Sequence, residues 1–218
     1  LGTTALVAAG MISSGAMAAD KIKMGVGGYF QVAIAAGDQD DDDDKRMHLI
    51  SEEGEIIFNG KTTLDNGLQV GVQVQLEAET CSDQIDEHFM WLSGGFGRIQ
   101  LGAENSAPYL MGYASPAPSH WAHGLNSPNF SHAGLVVETN LVMTSDSEKI
   151  TYFTPRMAGF QLGVSYTPEN DEAGSGPGYN SSYSGFPSDS EPGEQGEIIE
   201  VGVNYVNKFD DVSLAISG

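Results

Sequence analysis

The sequence predicts an all-β fold, a transmembrane antiparallel up-and-down barrel. The first observation is a hydrophobic period of two in runs of about ten residues, the length a tilted strand needs to cross a bilayer. The second is that short turns alternate with long connections. The third is a composition of 28 Gly in 218 residues, with a formal net charge of -21. Barrel strands of this kind alternate apolar and polar residues, so their mean hydropathy resembles that of a soluble chain.

The clearest strand covers 68–79. Leu68, Val70, Val72, Val74, Leu76 and Ala78 fall on one face, and Gln69, Gly71, Gln73, Gln75, Glu77 and Glu79 on the other. Side chains alternate across a strand, so one face is wholly apolar and its reverse wholly polar. The pattern repeats in Phe160, Leu162, Val164 and Tyr166 against Gln161, Gly163 and Ser165. It repeats again in Ile199, Val201, Val203 and Tyr205 against Glu200, Gly202 and Asn204, and near Val212, Leu214 and Ile216. The strands expected are 21–35, 50–64, 68–79, 84–93, 98–104, 149–156, 160–168, 197–206 and 212–218. Asp65-Asn66-Gly67 reads as a tight hairpin turn, with Asn-Gly supplying positive φ. Gly94 to Gly97, Met157 to Gly159 and Asn207 to Asp210 are also short. The long connections are the acidic 38–49, the Pro/His-rich 105–147 and the Gly/Ser/Pro-rich 168–196. Short turns collect at one rim and long loops at the other. Phe89, Trp91, Tyr152, Phe160, Tyr166 and Tyr205 fall toward strand ends, as interface girdles would. Nine strands is an odd number, and an aqueous channel needs about 16, so the expectation is the front part of a barrel with about seven strands to follow.

Composition narrows the function. A chain this acidic repels nucleic acid. Cys81 is the sole cysteine, so neither an internal disulfide nor a thiolate zinc site can form. Residues 1–18 read as the remnant of a secretory signal, apolar from Leu1 to Ile12 and closing on the A-x-A site Ala16-Met17-Ala18. The mature domain is then 19–218, beyond the inner membrane. No G-x-S-x-G or H-E-x-x-H motif occurs. Gly25-Val26-Gly27-Gly28 lies inside a strand pattern with no helix after it, so it is no phosphate cradle. His120 and His123 stand three apart without a Cys or Glu ligand to complete a zinc site.

Asp38, Asp40 and Asp42 begin with the D-x-D-x-D spacing of a calcium loop. The sixth position lacks Gly and the twelfth is Leu49 rather than Glu, so the pattern allows at most a loose calcium site in an acidic loop. A different class of reading follows from the same alternation: a secreted β-sandwich that binds calcium or carbohydrate, its apolar face buried between sheets. Strand length favours the membrane.

Three blocks together resemble alphaproteobacterial general porins. They are Phe58-Asn59-Gly60-Lys61-Thr62-Thr63-Leu64-Asp65-Asn66-Gly67-Leu68, Ser93-Gly94-Gly95-Phe96-Gly97-Arg98-Ile99-Gln100-Leu101-Gly102, and Lys149-Ile150-Thr151-Tyr152-Phe153-Thr154-Pro155-Arg156 followed by 159–166. The resemblance implies a homotrimeric, water-filled barrel in the outer membrane of a Gram-negative bacterium, in contact with lipid and lipopolysaccharide. It would pass ions and small hydrophilic solutes, with no catalysis and no cofactor. It further implies that the long loop 105–148 folds inward to narrow the pore. Carboxylates of Glu104, Glu138, Asp146 and Glu148 would then face the basic residues Lys21, Lys23, Lys61, Arg98 and Lys149 across the lumen, the arrangement by which charged pores select. With Glu77, Glu79 and Glu200 also on polar faces, a weak cation preference is expected.

Overall fold

A computed structural model describes residues 21–39, 42–78, 85–113, 143–170 and 195–218. The strands are β1 (Lys23–Gln39), β2 (Asp42–Thr63), β3 (Gln69–Glu77), β4 (His88–Gly94), β5 (Gly97–Ala103), β6 (Glu148–Phe153), β7 (Phe160–Glu169), β8 (Gly196–Phe209) and β9 (Val212–Ser217), with one short helix, α1 (Ala107–Met111), after β5. They form a single 9-stranded sheet in chain order, each strand antiparallel to the next. This is the up-and-down order that alternating short and long connections require. No helix among the described residues is long and apolar enough to cross a membrane.

The register turns the sequence alternation into two faces. Val72 pairs with Met90, Met90 with Leu101, Leu101 with Ile150, Ile150 with Tyr166, and Tyr166 with Ile199. One row of the sheet is therefore apolar from β3 to β8. The row beside it runs Gly71, Trp91, Gln100, Thr151, Ser165 and Glu200, on the opposite face.

Burial inverts the rule for soluble proteins. Ile199 is 68% and Val201 56% exposed, whereas Glu200 and Asn204 are each 6% exposed. Fully buried side chains include Thr144, Thr151, Ser165 and Thr167. Among the described residues, nothing covers the apolar face, while chain segments lie on the polar one. A soluble sandwich would bury the apolar face, so that reading finds no support. A bilayer supplies the missing apolar contact.

Two expectations need correction. The acidic stretch 38–49 is not a long loop: β1 runs to Gln39 and β2 starts at Asp42, and His48 and Leu49 pair with Ala35 and Ile34. Backbone pairing does not need an apolar face, so the ladder continues past the end of the sequence alternation. Phe89 and Trp91 belong to the polar face, not to an outer girdle, because Phe89 pairs with Gln73 and Trp91 with Gly71. The run His88-Phe89-Met90-Trp91-Leu92 is nearly apolar throughout, so parity could not be read from β4 alone. Tyr152, Phe160 and Tyr205 do stand on the outer face near the short turns, where the Phe160 and Tyr205 rings lie 4.6 Å apart and the Tyr152 hydroxyl donates to the Phe96 carbonyl. From β3 to β9 the strands lie where the alternation puts them, with ends moved by about four residues or fewer. Residues 1–20, including the signal-like segment, lie outside the described residues.

Candidate functional site

Chain leaving β5 turns onto the polar face of the sheet and crosses β7 and β8. Pro108 stands at the start of α1, where its missing N–H costs nothing. The helix is seated by two glycines. A Cβ on Gly202 would lie 2.8 Å from Pro108 Cα, and one on Gly163 would lie 2.9 Å from Ala107 Cβ. Bare backbone at these two sites lets α1 press against the wall. Ala107, Met111 and Phe153 make the small apolar cluster between them.

Polar side chains of the wall hold this segment. Ser165 Oγ accepts from the Ala107 amide at 2.8 Å and lies 2.7 Å from Thr151 Oγ1. Ser106 Oγ donates to Glu200 Oε1 at 2.8 Å, and Thr144 donates to the other Glu200 oxygen. Asn204 donates to the Met111 carbonyl at 3.1 Å, and the Tyr113 amide donates to Ser217 Oγ at 2.9 Å. Glu200 therefore ties the two ends of the long connection, 106 and 144, to one strand.

Lys149 performs the same task from β6. Its ammonium donates to the Ser147 carbonyl at 2.6 Å, to Ser145 at 2.7 Å, to Thr144 at 3.2 Å, and to the Glu104 carbonyl. Beside it, at the loop-side ends of the strands, carboxylate oxygens of Glu87, Glu104 and Asp146 lie within 4.8 Å of one another. Asn105 Nδ2 bridges the group, donating to Asp146 at 2.8 Å and to Glu87 at 3.1 Å. Glu87 immediately precedes β4 and Glu104 immediately follows β5, outside the strand spans. Burial pushes the Glu87 carboxyl up to about 10, with the charges of Glu104 and Asp146 acting the same way. Burial also raises Glu104, while its hydrogen bond with Glu87 lowers it. A proton thus sits on Glu87 and is donated to Glu104, which relieves the repulsion of like charges.

The expected site residues divide. Glu104, Asp146 and Lys149 come together. Glu148 does not: it neighbours Lys149 in β6 and so takes the opposite face, 3.9 Å from His88. Lys23 and Lys61 pair with each other near a short turn, away from the carboxylates. Arg98 enters β5 one residue from its turn, but its guanidinium lies up the wall within electrostatic reach of Glu104. Lys21 is exposed just before β1. The Arg98 guanidinium stacks 4.6 Å over Trp91, whose indole lies against Gly71, where a Cβ would collide with the ring. Asp38 and Asp42 sit on paired strands, and Glu138 and Asp40 lie outside the described residues, as do His120, His123 and Cys81. Sequence reasoning missed Glu87, Asn105, Ser106 and Thr144. The alternation of β7 and β8 did mark Ser165, Glu200 and Asn204 as polar-face residues, but not what they bind.

A bare apolar exterior, a polar wall and a chain segment strapped to that wall describe one side of an aqueous channel. No curated protein matches the chain. A family profile described as Gram-negative porin matches residues 2–218. The chain belongs to the Gram-negative porins, the outer-membrane β-barrels through which solutes pass.

Proposed function

We propose that the chain builds one side of a passive diffusion channel for ions and small hydrophilic solutes. The channel prefers cations weakly, carries out no reaction, and works as a homotrimer among outer-membrane lipid and lipopolysaccharide. Residues 1–18 serve as the remnant of its export signal. The observation that carries this reading is the strapping of 104–113 and 143–147 to the polar face by Glu200, Ser165, Asn204 and Lys149. A connection held inside the wall narrows whatever passes, and Glu104 and Asp146 bring carboxylates to that point. Glu148 is left out of the constriction, since it faces outward.

The net charge of -21 supports cation preference, because low-dielectric walls focus such a field into the lumen. The protein should give stepwise conductance in planar bilayers. In a KCl gradient the reversal potential should show potassium favoured, less so as salt rises above 0.1 M, where screening acts within about 10 Å. No steps would contradict the channel, and a clear anion preference would contradict the selectivity.

A further inference from the structure

Charge on this sheet is sorted along the strands. Of the 9 Lys and Arg residues, Lys21, Lys23, Lys61, Arg98, Arg156 and Lys208 stand at the ends that meet the short turns. Lys23 opposes Lys61 in the register. Arg98 starts one residue from the β4–β5 turn, although its guanidinium reaches up the wall over Trp91 and feels Glu104, so Lys23 and Lys61 define this end most cleanly. Lys208 is one residue from the end of β8, on the face of Glu200 and Asn204 by period two. Arg156 lies in the β6–β7 turn and reaches the same face, donating to Gln161 and Asn204. Only Lys149, enclosed by carbonyls, and Lys45 and Arg46, in the outer part of the β1–β2 hairpin, stand elsewhere.

Acidic residues of the polar face collect at the other end. Glu55 pairs with Glu77 where β3 finishes. Glu87 precedes β4, Glu104 follows β5, Glu169 ends β7, and Glu200 lies in the loop-side half of β8. At the turn end the described carboxylates are Asp65, Asp210 and Asp211, all exposed in turns rather than on the wall. Two like charges set directly opposite, as Lys23 and Lys61 are, destabilise a sheet. Their placement is therefore costly unless the end they occupy has a use for positive charge.

We infer that the lumen is bipolar, with an anionic mouth at the loop end and a cationic mouth at the turn end, and that the channel rectifies. This rests on the channel reading and changes its selectivity from one zone to two. The physics is local. Each mouth concentrates ions of opposite sign within a screening length. When the loop side is positive, cations enter through the mouth that collects them and anions enter through the other, so both accumulate inside. When the voltage is reversed, both are drawn out and the lumen is depleted. Small anions, such as carboxylates and phosphates, gain their foothold at the turn end.

The test uses single channels of the intact protein in planar bilayers. Orientation is scored by the side from which a charged thiol reagent reaches Gly95→Cys, in a Cys81→Ser background, because Gly95 lies in an exposed turn with open space around it. At 0.1 M KCl, where charge acts over about 10 Å, current should be about twice as large with the loop side positive; at 1 M, where the range falls to about 3 Å, the asymmetry should vanish. Lys23→Gln/Lys61→Gln, at two exposed positions, should weaken the asymmetry and increase potassium preference. A linear current–voltage curve at 0.1 M, rectification of the opposite sign, or asymmetry unchanged in the double variant would each overturn the inference while leaving the channel in place. Absence of conductance would overturn both.

Discussion

Val72 and Gln73 are neighbours with opposite surroundings. Val72 is 40% exposed on the apolar face, and Gln73 pairs with Phe89 on the polar one. Val72→Arg should therefore cost about 2–4 kcal/mol near the bilayer midplane, while Gln73→Arg should be nearly neutral. Reversible unfolding from lipid vesicles measures both, and equal costs would contradict the assignment of faces. Lys149 allows a sharper prediction. Lys149→Met leaves the carbonyls of Glu104, Ser145 and Ser147 without their ammonium donor, while Thr144 keeps the Ser147 amide, and each buried unsatisfied group costs about 1–3 kcal/mol. The expected result is a large fall in thermal stability, or proteolysis of the long connection at temperatures the native protein tolerates. At this scale the sequence was legible where alternation was clean. It placed Val72, Gln73 and Glu200 on their proper faces. It failed at Glu148, counted with Lys149 as a lumen group although adjacent strand residues must diverge, and at Trp91, where only the register with Gly71 decides the face.

Among the elements, α1 depends most on what the wall lacks. At Gly202 the atoms in the way are Pro108 Cα and N and the Ala107 carbonyl, which are backbone and cannot swing aside. Gly202→Val should lift α1 from β8 and widen the pore, read as a rise in single-channel conductance with the strands still folded. Gly163→Ala meets the Met111 sulfur, the end of a flexible side chain, and the Ala107 Cβ, which moves only with its backbone, and no backbone atom directly, so it should do less. The strands themselves were readable, because period two survives any context that gives a sheet two unlike faces. The seat of α1 was not readable. It joins residues far apart in sequence, and Gly163 and Gly202 look like ordinary small residues of a strand.

The acidic group between β4, β5 and β6 supplies a pH dependence. Glu87 is held above its ordinary value of 4.5, at about 10, so the folded state binds a proton that the unfolded state has released across that interval. Stability is then full at acid pH and declines as pH rises through the same window. Thermal unfolding of the detergent-solubilised protein should show that decline between neutral and alkaline pH, and Glu87→Gln should flatten it. A stability that instead rises with pH over this range would contradict a shared proton.

For the molecule as a whole, the sheet has apolar and polar surfaces exchanged relative to a soluble protein, and β1 and β9 stand at its two edges. An unpaired strand edge in hydrocarbon costs several kcal/mol for each unsatisfied group. Each of those two edges must therefore be paired where the sheet sits in the membrane. The fold class was legible because strand length and alternation are properties of each segment. The position of charge along the lumen was less so, since it needs every strand set in register at once.

The polar face of this sheet meets water and the apolar face meets lipid. Single cysteines along β3 at Gln69, Val70, Val72, Gln73 and Val74, in a Cys81→Ser background in native outer membranes, test it most directly with a membrane-impermeant thiol reagent. A period of two is expected, with Gln69→Cys and Gln73→Cys reacting and Val70→Cys, Val72→Cys and Val74→Cys protected; uniform reactivity, or the inverse pattern, would show that the faces are assigned wrongly.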